Sequence, residues 1–287
     1  MPDLLARLAA EGPIPAQDAV LVVAHPDDET IGLGGQLARL PGLALVHVTD
    51  GAPRGGGAAE AHGFADAAAY AAARRAELEA AVGLAGVPRS SLTGLGVPDQ
   101  EVCLSLARLA RGLAALFAER GIRAVLTHAY EGGHPDHDGT AFAVHAAAHL
   151  AARRTGHAVD VLELPFYHLG GRGRSEEGDV DHPQGSGGDA WAVQCFAPGP
   201  GGPGIALRLN LEQQALKRRM LDAHRSQAGV LQRVGTEVER VRRSPAHSFA
   251  CLPNGGRLLY EHYGWGMTGE RYLGLVAGAA RELGLPR

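Results

Sequence analysis

The apolar run Ala19 to Val23 ends in Ala24-His25-Pro26-Asp27-Asp28-Glu29, and this junction constrains the chain more than any other stretch. Continuous apolar character over strand length reads as a strand buried on both faces, the kind that parallel sheets carry beneath their helices. Such a strand hands over to a turn at its carboxyl end, and here the turn carries one imidazole and two carboxylates. Pro26 fixes its own φ and biases His25 toward extended backbone, so Asp27 and Asp28 enter the turn that opens the next helix. About a hundred residues later the plan recurs, with Ala124 to Thr127 as a second short buried strand, then His128, then His134-Pro135-Asp136-His137.

Imidazole and carboxylate are the usual ligands of a catalytic divalent metal, which keeps three protein ligands and an open position for water. The spacing selects His25, Asp28 and His137 as that set. The same set suits non-haem Fe(II), so the metal's identity stays open. Asp27, leaving the same turn in another direction, is free to act on whatever the metal holds. Helix capping by Asp27 and Asp28 explains one such cluster. It does not explain two at two strand ends, and the pair points to a metal.

Ala24 to Glu29, taken with His134 to His137, resembles the two signature motifs of the PIG-L/LmbE-like deacetylases, metal-dependent hydrolases that remove N-acyl groups, typically acetyl, from amino sugars and their conjugates. Arg74-Arg75-Ala76-Glu77 resembles that family's Arg-x-x-Glu helix, and Lys217 with His224-Arg225-Ser226-Gln227 resembles its closing segment, so the resemblance covers about residues 18 to 228. It implies a Zn2+-dependent N-deacetylase, with Fe2+ or another divalent metal as the alternative, whose partner is a small-molecule amino-sugar conjugate of the N-acetylglucosamine type. Asp27 is then the general base, His134 supports the oxyanion, and Asp136 orients a neighbouring imidazole. Arg74, Asp50 and His128 are the implied substrate contacts; for Arg74 the other reading is a helix-surface ion pair with Glu77 or Glu79. After Thr49-Asp50-Gly51 the chain departs from the family's usual acidic glycine pattern, which points to a different substrate rim. A metal-dependent amidase or esterase on a non-sugar substrate and a non-catalytic carbohydrate-binding relative are the rival readings. Asp27 argues against the second, since binding alone needs no base.

Strand-length apolar runs alternate with helical patterns, which predicts an α/β fold: a Rossmann-like, mostly parallel sheet flanked by helices, with short C-terminal strands and a final helix. Strands are expected at Ala19 to Ala24, Leu43 to Val48, Ile122 to Thr127, Val159 to Leu164, Ser248 to Leu252 and Leu258 to Tyr263. Helices are expected at Ile31 to Leu40, Phe64 to Val82, Leu104 to Arg120, Thr140 to Arg153, Leu211 to Ala223 and Glu270 to Leu283. Ligands of such sheets sit beyond the strands' carboxyl ends, where His25, Asp50 and the His128 to His137 segment fall. Gly32, Gly34 and Gly35 lack the order of a dinucleotide fingerprint and read as close packing. One domain over 1–287 is expected, with a polar insertion at 170–189 read as a mobile flap over the pocket. Tyr263 and Trp265 read as packing residues, with sugar stacking as the alternative.

The chain has 287 residues, 45% of them hydrophobic, enough for a sizeable core. A net charge of −4 supplies no basic field for nucleic acid, and Lys217 to Arg219 and Arg240 to Arg243 read as solvated helix faces. Met1 to Asp18 is short and mixed in polarity, fitting neither a membrane span nor a signal peptide. Three scattered cysteines, Cys103, Cys195 and Cys251, suggest no disulfide framework, and a reducing cytoplasm is the default location. Homo-oligomerisation is left open.

Overall fold

In the computed structural model, which describes residues 3–55, 57–170 and 191–285, the expected buried strand is β1, Ala19–Val23, with all five residues out of water. The other strands are β2 (Ala44–Pro53), β3 (Leu92–Asp99), β4 (Ala124–His128), β5 (Asp160–Leu164), β6 (Tyr167–Leu169), β7 (Trp191–Val193), β8 (Ile205–Arg208) and β9 (Val238–Arg243). The helices are α1 (Leu4–Leu8), α2 (Asp28–Leu33), α3 (Ala58–Ala61), α4 (Ala67–Leu84), α5 (Leu106–Glu119), α6 (Pro135–Thr155), α7 (Leu211–Ala223), α8 (Ala228–Leu231), α9 (Leu259–His262) and α10 (Gly269–Leu283).

Seven strands form one sheet in the order β3-β2-β1-β4-β5-β9-β8. The first five run parallel, while β9 and β8 join antiparallel. From β1 the chain builds outward to β2 and β3, then restarts on the other side with β4 and β5. The crevice where that direction reverses is where open α/β sheets bind ligands, and it lies between the carboxyl ends of β1 and β4. Their register, Ala19↔Ala124 through Leu21↔Leu126, sets the two His-Pro-Asp segments side by side.

Several expectations change. Ser248 to Leu252 forms no strand, and Leu258 to Tyr263 contains the short helix α9 instead. The predicted helix Ile31 to Leu40 stops at Leu33, because Gly35 turns its N–H to Glu239 Oε1 at 2.8 Å and lies against Leu209. Helix α6 starts at Pro135, five positions before Thr140, so Asp136 and His137 stand on a helix's first turn rather than in a loop. Pro135 suits that position because the N–H it lacks has no intrahelical partner there.

The basic clusters are not simply solvated helix faces. Arg242 lies on a strand, buried, with its Nε 2.9 Å from Glu163 Oε2. Lys217 is fully buried on α7, donating to Glu239 Oε1 at 2.7 Å and to the Ile31 carbonyl at 2.8 Å. Arg242 thus pins β9 to β5, and Lys217 pins α7 to the end of α2. Cys103 is a small buried residue whose thiol donates to the Pro135 carbonyl. The polar insertion lies outside the described residues apart from Gly170. No helix among the described residues is long and apolar enough to cross a membrane.

One buried carboxyl supplies a stability test. Asp138 Oδ1 accepts the N–H groups of Gly132 and Glu131, yet burial dominates and pushes its pKa up to about 7. Folding therefore takes up a proton between the ordinary carboxylate range and neutrality. The stability that goes with protonation is full below about pH 4 and is lost as pH climbs toward 7. Asp138→Asn keeps the acceptor and removes the ionisation, so its melting temperature should exceed the wild type's at pH 8, with the gap closing at pH 5. Thermal melts at the two pH values check this; a variant less stable at both would show that the carboxylate itself is needed.

Candidate metal centre

His25 continues β1 past its end, Asp28 opens α2, and His137 projects from the first turn of α6. His25 Nδ1 lies 3.2 Å from His137 Nε2 and 3.4 Å from Asp28 Oδ2, and His137 Nε2 lies 3.4 Å from Asp28 Oδ1. A tetrahedral ion with bonds of about 2.0–2.1 Å spaces its ligands about 3.3–3.4 Å apart. His25, Asp28 and His137 thus form a donor triangle in which Asp28 turns one oxygen to each histidine. Around it, the donor groups among the described residues that lie close enough to share one ion are His25 with His134 and His137, His25 with Asp99, His134 and Asp136, and Asp28 with His128 and His137. The far nitrogen of His25 faces Asp99 Oδ1 at 3.1 Å and Asp136 Oδ2 at 3.3 Å. Carboxylates behind a ligating imidazole fix its ring and tautomer. Asp136 is itself held by the N–H groups of Gln100 (2.6 Å) and Val102 (3.1 Å).

Burial alone would strip His25 of its charge, but Asp99, Asp136 and Asp28 outweigh it and hold its pKa well above the ordinary value. The metal-free imidazole is therefore protonated at neutral pH, and Nδ1 must lose its proton before it can ligate. Metal titration calorimetry at pH 7, run in buffers of different ionisation heat, should show release of about one proton per metal bound. Release of none would mean that His25 is neutral beforehand.

His134 is the N-cap of α6, and its Nδ1 accepts the Asp136 N–H at 3.1 Å. That bond leaves the ring proton on Nε2. Burial and the neighbouring His25 lower its pKa well below the ordinary value, so His134 is a neutral hydrogen-bond donor rather than an imidazolium.

Asp27 sits at φ 145°, a region L-residues rarely adopt and which costs of order 1–3 kcal/mol. Two anchors hold it there. Its N–H donates to Glu29 Oε2 at 3.1 Å, and its Oδ2 meets Arg74 Nη2 at 3.0 Å. Arg74 also donates to the carbonyls of Pro26 and Gly51, each at 2.8 Å. Burial raises the Asp27 pKa to about 6 even though Arg74 pulls it down. Glu29 lies between His47 Nε2 (3.0 Å) and His224 Nε2 (3.4 Å). Burial would raise its pKa, but hydrogen bonds from His224 and His47 hold it well below the carboxylate range.

The three implied substrate contacts lie at different depths. Arg74 is 4% exposed and donates to Asp27 and two carbonyls rather than to Glu77 or Glu79. Its nearest carboxylate was invisible in the sequence because the pairing crosses 47 positions. His128 has no exposure, and its Nε2 accepts the Ala24 N–H at 2.8 Å, so it stacks behind His137 as a wall. Asp50 is half-buried and paired with Arg54 at the rim. Asp99, Glu29, His47 and His224 were not anticipated in the site. Only Asp99 left a signal, since Val97-Pro98-Asp99 ends a strand as His25 does, but the glycines of β3 hid that strand.

Against known proteins, residues 20–148 match the family model described as PIG-L, GlcNAc-PI de-N-acetylase. These residues form a PIG-L-family domain. They include all of β1 but its first residue, all of β4, and His25, Asp28 and His137. Three solved structures share the fold. The A40926 pseudoaglycone deacetylase Dbv21 is 19% identical, covering 80% of this chain and 98% of its own, with a TM-score of 0.55. N,N'-diacetylchitobiose deacetylase from Pyrococcus horikoshii, in complex with an inhibitor, is 18% identical, covering 79% and 84%, with a TM-score of 0.53. Teicoplanin deacetylase Orf2, in a zinc-inhibited form, is 16% identical, covering 80% and 100%, also at 0.53. No curated protein matches the sequence significantly.

Proposed function

We propose that this PIG-L-domain protein removes the acetyl group from an N-acetylglucosamine-type amino sugar or its conjugate, using a divalent metal held by His25, Asp28 and His137. The observation that carries the reading is Asp27: next to a ligand but outside the donor triangle, clamped by Arg74, with a pKa near 6. Zinc suits a set of three N and O donors with an open position, and Fe(II) is the alternative. Such a metal, when bound, acidifies a water and polarises the acyl carbonyl.

The remaining chemistry belongs to the chain. Asp27, ionised at neutral pH, takes the proton of the attacking water, and Arg74 holds the carboxylate in line. As the carbonyl oxygen gains charge, His134 Nε2–H donates to it, a neutral donor losing no proton in the step. Asp27 then returns its proton to the nitrogen as the C–N bond breaks, so that a neutral amine and acetic acid form, and the acid gives its proton to solvent as acetate leaves. Asp99 and Asp136 keep the His25 ring in place throughout.

The test is amine release by metal-reconstituted protein from a panel of N-acetylglucosaminides, simple acetamides and acetyl esters. Turnover of the sugars alone is expected. Equal turnover of simple amides or esters would favour the non-sugar hydrolase, and no turnover of any would favour a binding protein. Elemental analysis of the most active preparation decides the metal.

A further inference from the structure

Four ring side chains form a continuous wall beside the metal centre. Tyr167 lies 5.1 Å from the His137 ring and 5.0 Å from Trp191, and Trp265 lies 5.2 Å from His134. Tyr263 is 5.7 Å from both Trp191 and Trp265 and near-parallel to the latter, at 21°. Trp191 Nε1 donates to the Tyr263 hydroxyl at 2.9 Å, which fixes the two rings against each other.

Packing accounts for only part of this wall. Tyr167 and Trp265 lean on the hydrophobic core, but Trp191 and Tyr263 join none of the core clusters of the described residues. Tyr263 is 47% exposed and both tryptophans are half-buried, whereas Tyr260, Tyr272, Phe117 and Phe166 are wholly buried. Large rings that are held rigidly, left partly in water and joined to the catalytic histidines present faces for another ring to cover.

We propose that Trp191, Tyr263 and Trp265 are a stacking platform for a ring attached to the N-acylated sugar, that is, an aglycone or neighbouring sugar with a flat apolar face. This rests on the deacetylase reading above. A ring stacked on one aromatic face should gain about two- to twelve-fold in affinity. The platform sets which conjugate is preferred, while the acyl group alone meets the metal centre.

The chain has only two tryptophans, and both stand on the platform, so tryptophan emission reports binding there independently of hydrolysis. The metal-loaded protein is titrated with methyl and phenyl N-acetylglucosaminide and with N,N'-diacetylchitobiose, and kcat/KM is measured for each. We expect a ring-bearing glycoside to change the emission where the methyl glycoside does not, and to be preferred in kcat/KM about two- to twelve-fold. The preference should collapse in Tyr263→Ala and return in Tyr263→Phe. Preference for the phenyl glycoside alone assigns an aromatic aglycone, for the disaccharide alone a second sugar, and for both any flat ring. Hydrolysis with no aglycone preference and no distinct emission change overturns the platform and leaves the deacetylase standing. An emission change from ring glycosides without hydrolysis leaves the platform and overturns the deacetylase. Neither emission change nor hydrolysis overturns both.

Discussion

His137→Ala should leave the protein without metal and without activity, whereas Asp27→Asn should keep its metal while kcat falls about 10²- to 10⁴-fold. The difference follows from position. His137 Nε2 is one corner of a triangle whose sides are 3.2–3.4 Å, and two remaining donors do not make a catalytic metal site. Asp27 contributes no corner, and asparagine can still accept from Arg74 through its amide oxygen. What it cannot do is take a proton. Metal content and single-turnover rates measured on the same samples separate the two roles. Loss of metal from Asp27→Asn would make Asp27 a ligand and remove the base from the mechanism.

The second large effect is expected at His134. Losing one donor to a developing oxyanion typically lowers kcat about 10²- to 10³-fold, and His134→Ala should fall in that range with metal content unchanged. Its pH profile distinguishes a neutral donor from a general acid. With Asp27 as the proposed base, the rate should rise as pH passes upward through about 6, or lower where a bound cation stabilises the carboxylate. Since the Asp136 N–H occupies Nδ1, His134 cannot gain a second proton without losing its capping bond. The variant should therefore be slower at every pH, with the shape of its profile unchanged. A fall in rate at high pH that the wild type shows and the variant lacks would make His134 a protonated acid instead.

What the sequence disclosed follows from where its signals are local. Ala19 to Val23 and Ala124 to Thr127 could be little other than buried strands, and the His-Pro-Asp segments lie within a few residues of their ends. The capping box of Asn210 and Gln213 likewise marks the start of α7 where the helical pattern placed it. Signals that depend on distant partners were lost. Strand β3 reads as Leu-Thr-Gly-Leu-Gly-Val, too rich in glycine to declare itself, and with it went Asp99. Strand β9 carries three arginines that resemble a solvated face until Glu163, from β5, supplies the buried partner of Arg242. Arg74 was visible as a functional residue, but its contact crosses from α4 to the turn after β1, so its task of holding Asp27 could not be read from helix spacing. The stretch near Tyr263 suggested a strand because it is a short apolar run with two tyrosines, which favour strands, whereas its leucines favour helix. Helix α9 prevails there, with Leu259 and Tyr260 turned inward together.

Strands β6 and β7 pair only with each other and share no hydrogen-bond ladder with the seven-stranded sheet among the described residues. They carry Tyr167 and Trp191, whereas the donor triangle hangs from β1 and β4 in the middle of the large sheet. Mutations that reshape the ribbon therefore need not disturb the register on which the metal donors depend. For a protein engineer, new conjugates can be sought by diversifying the Trp191 strand of the ribbon while Tyr167, which lies against His137, is kept.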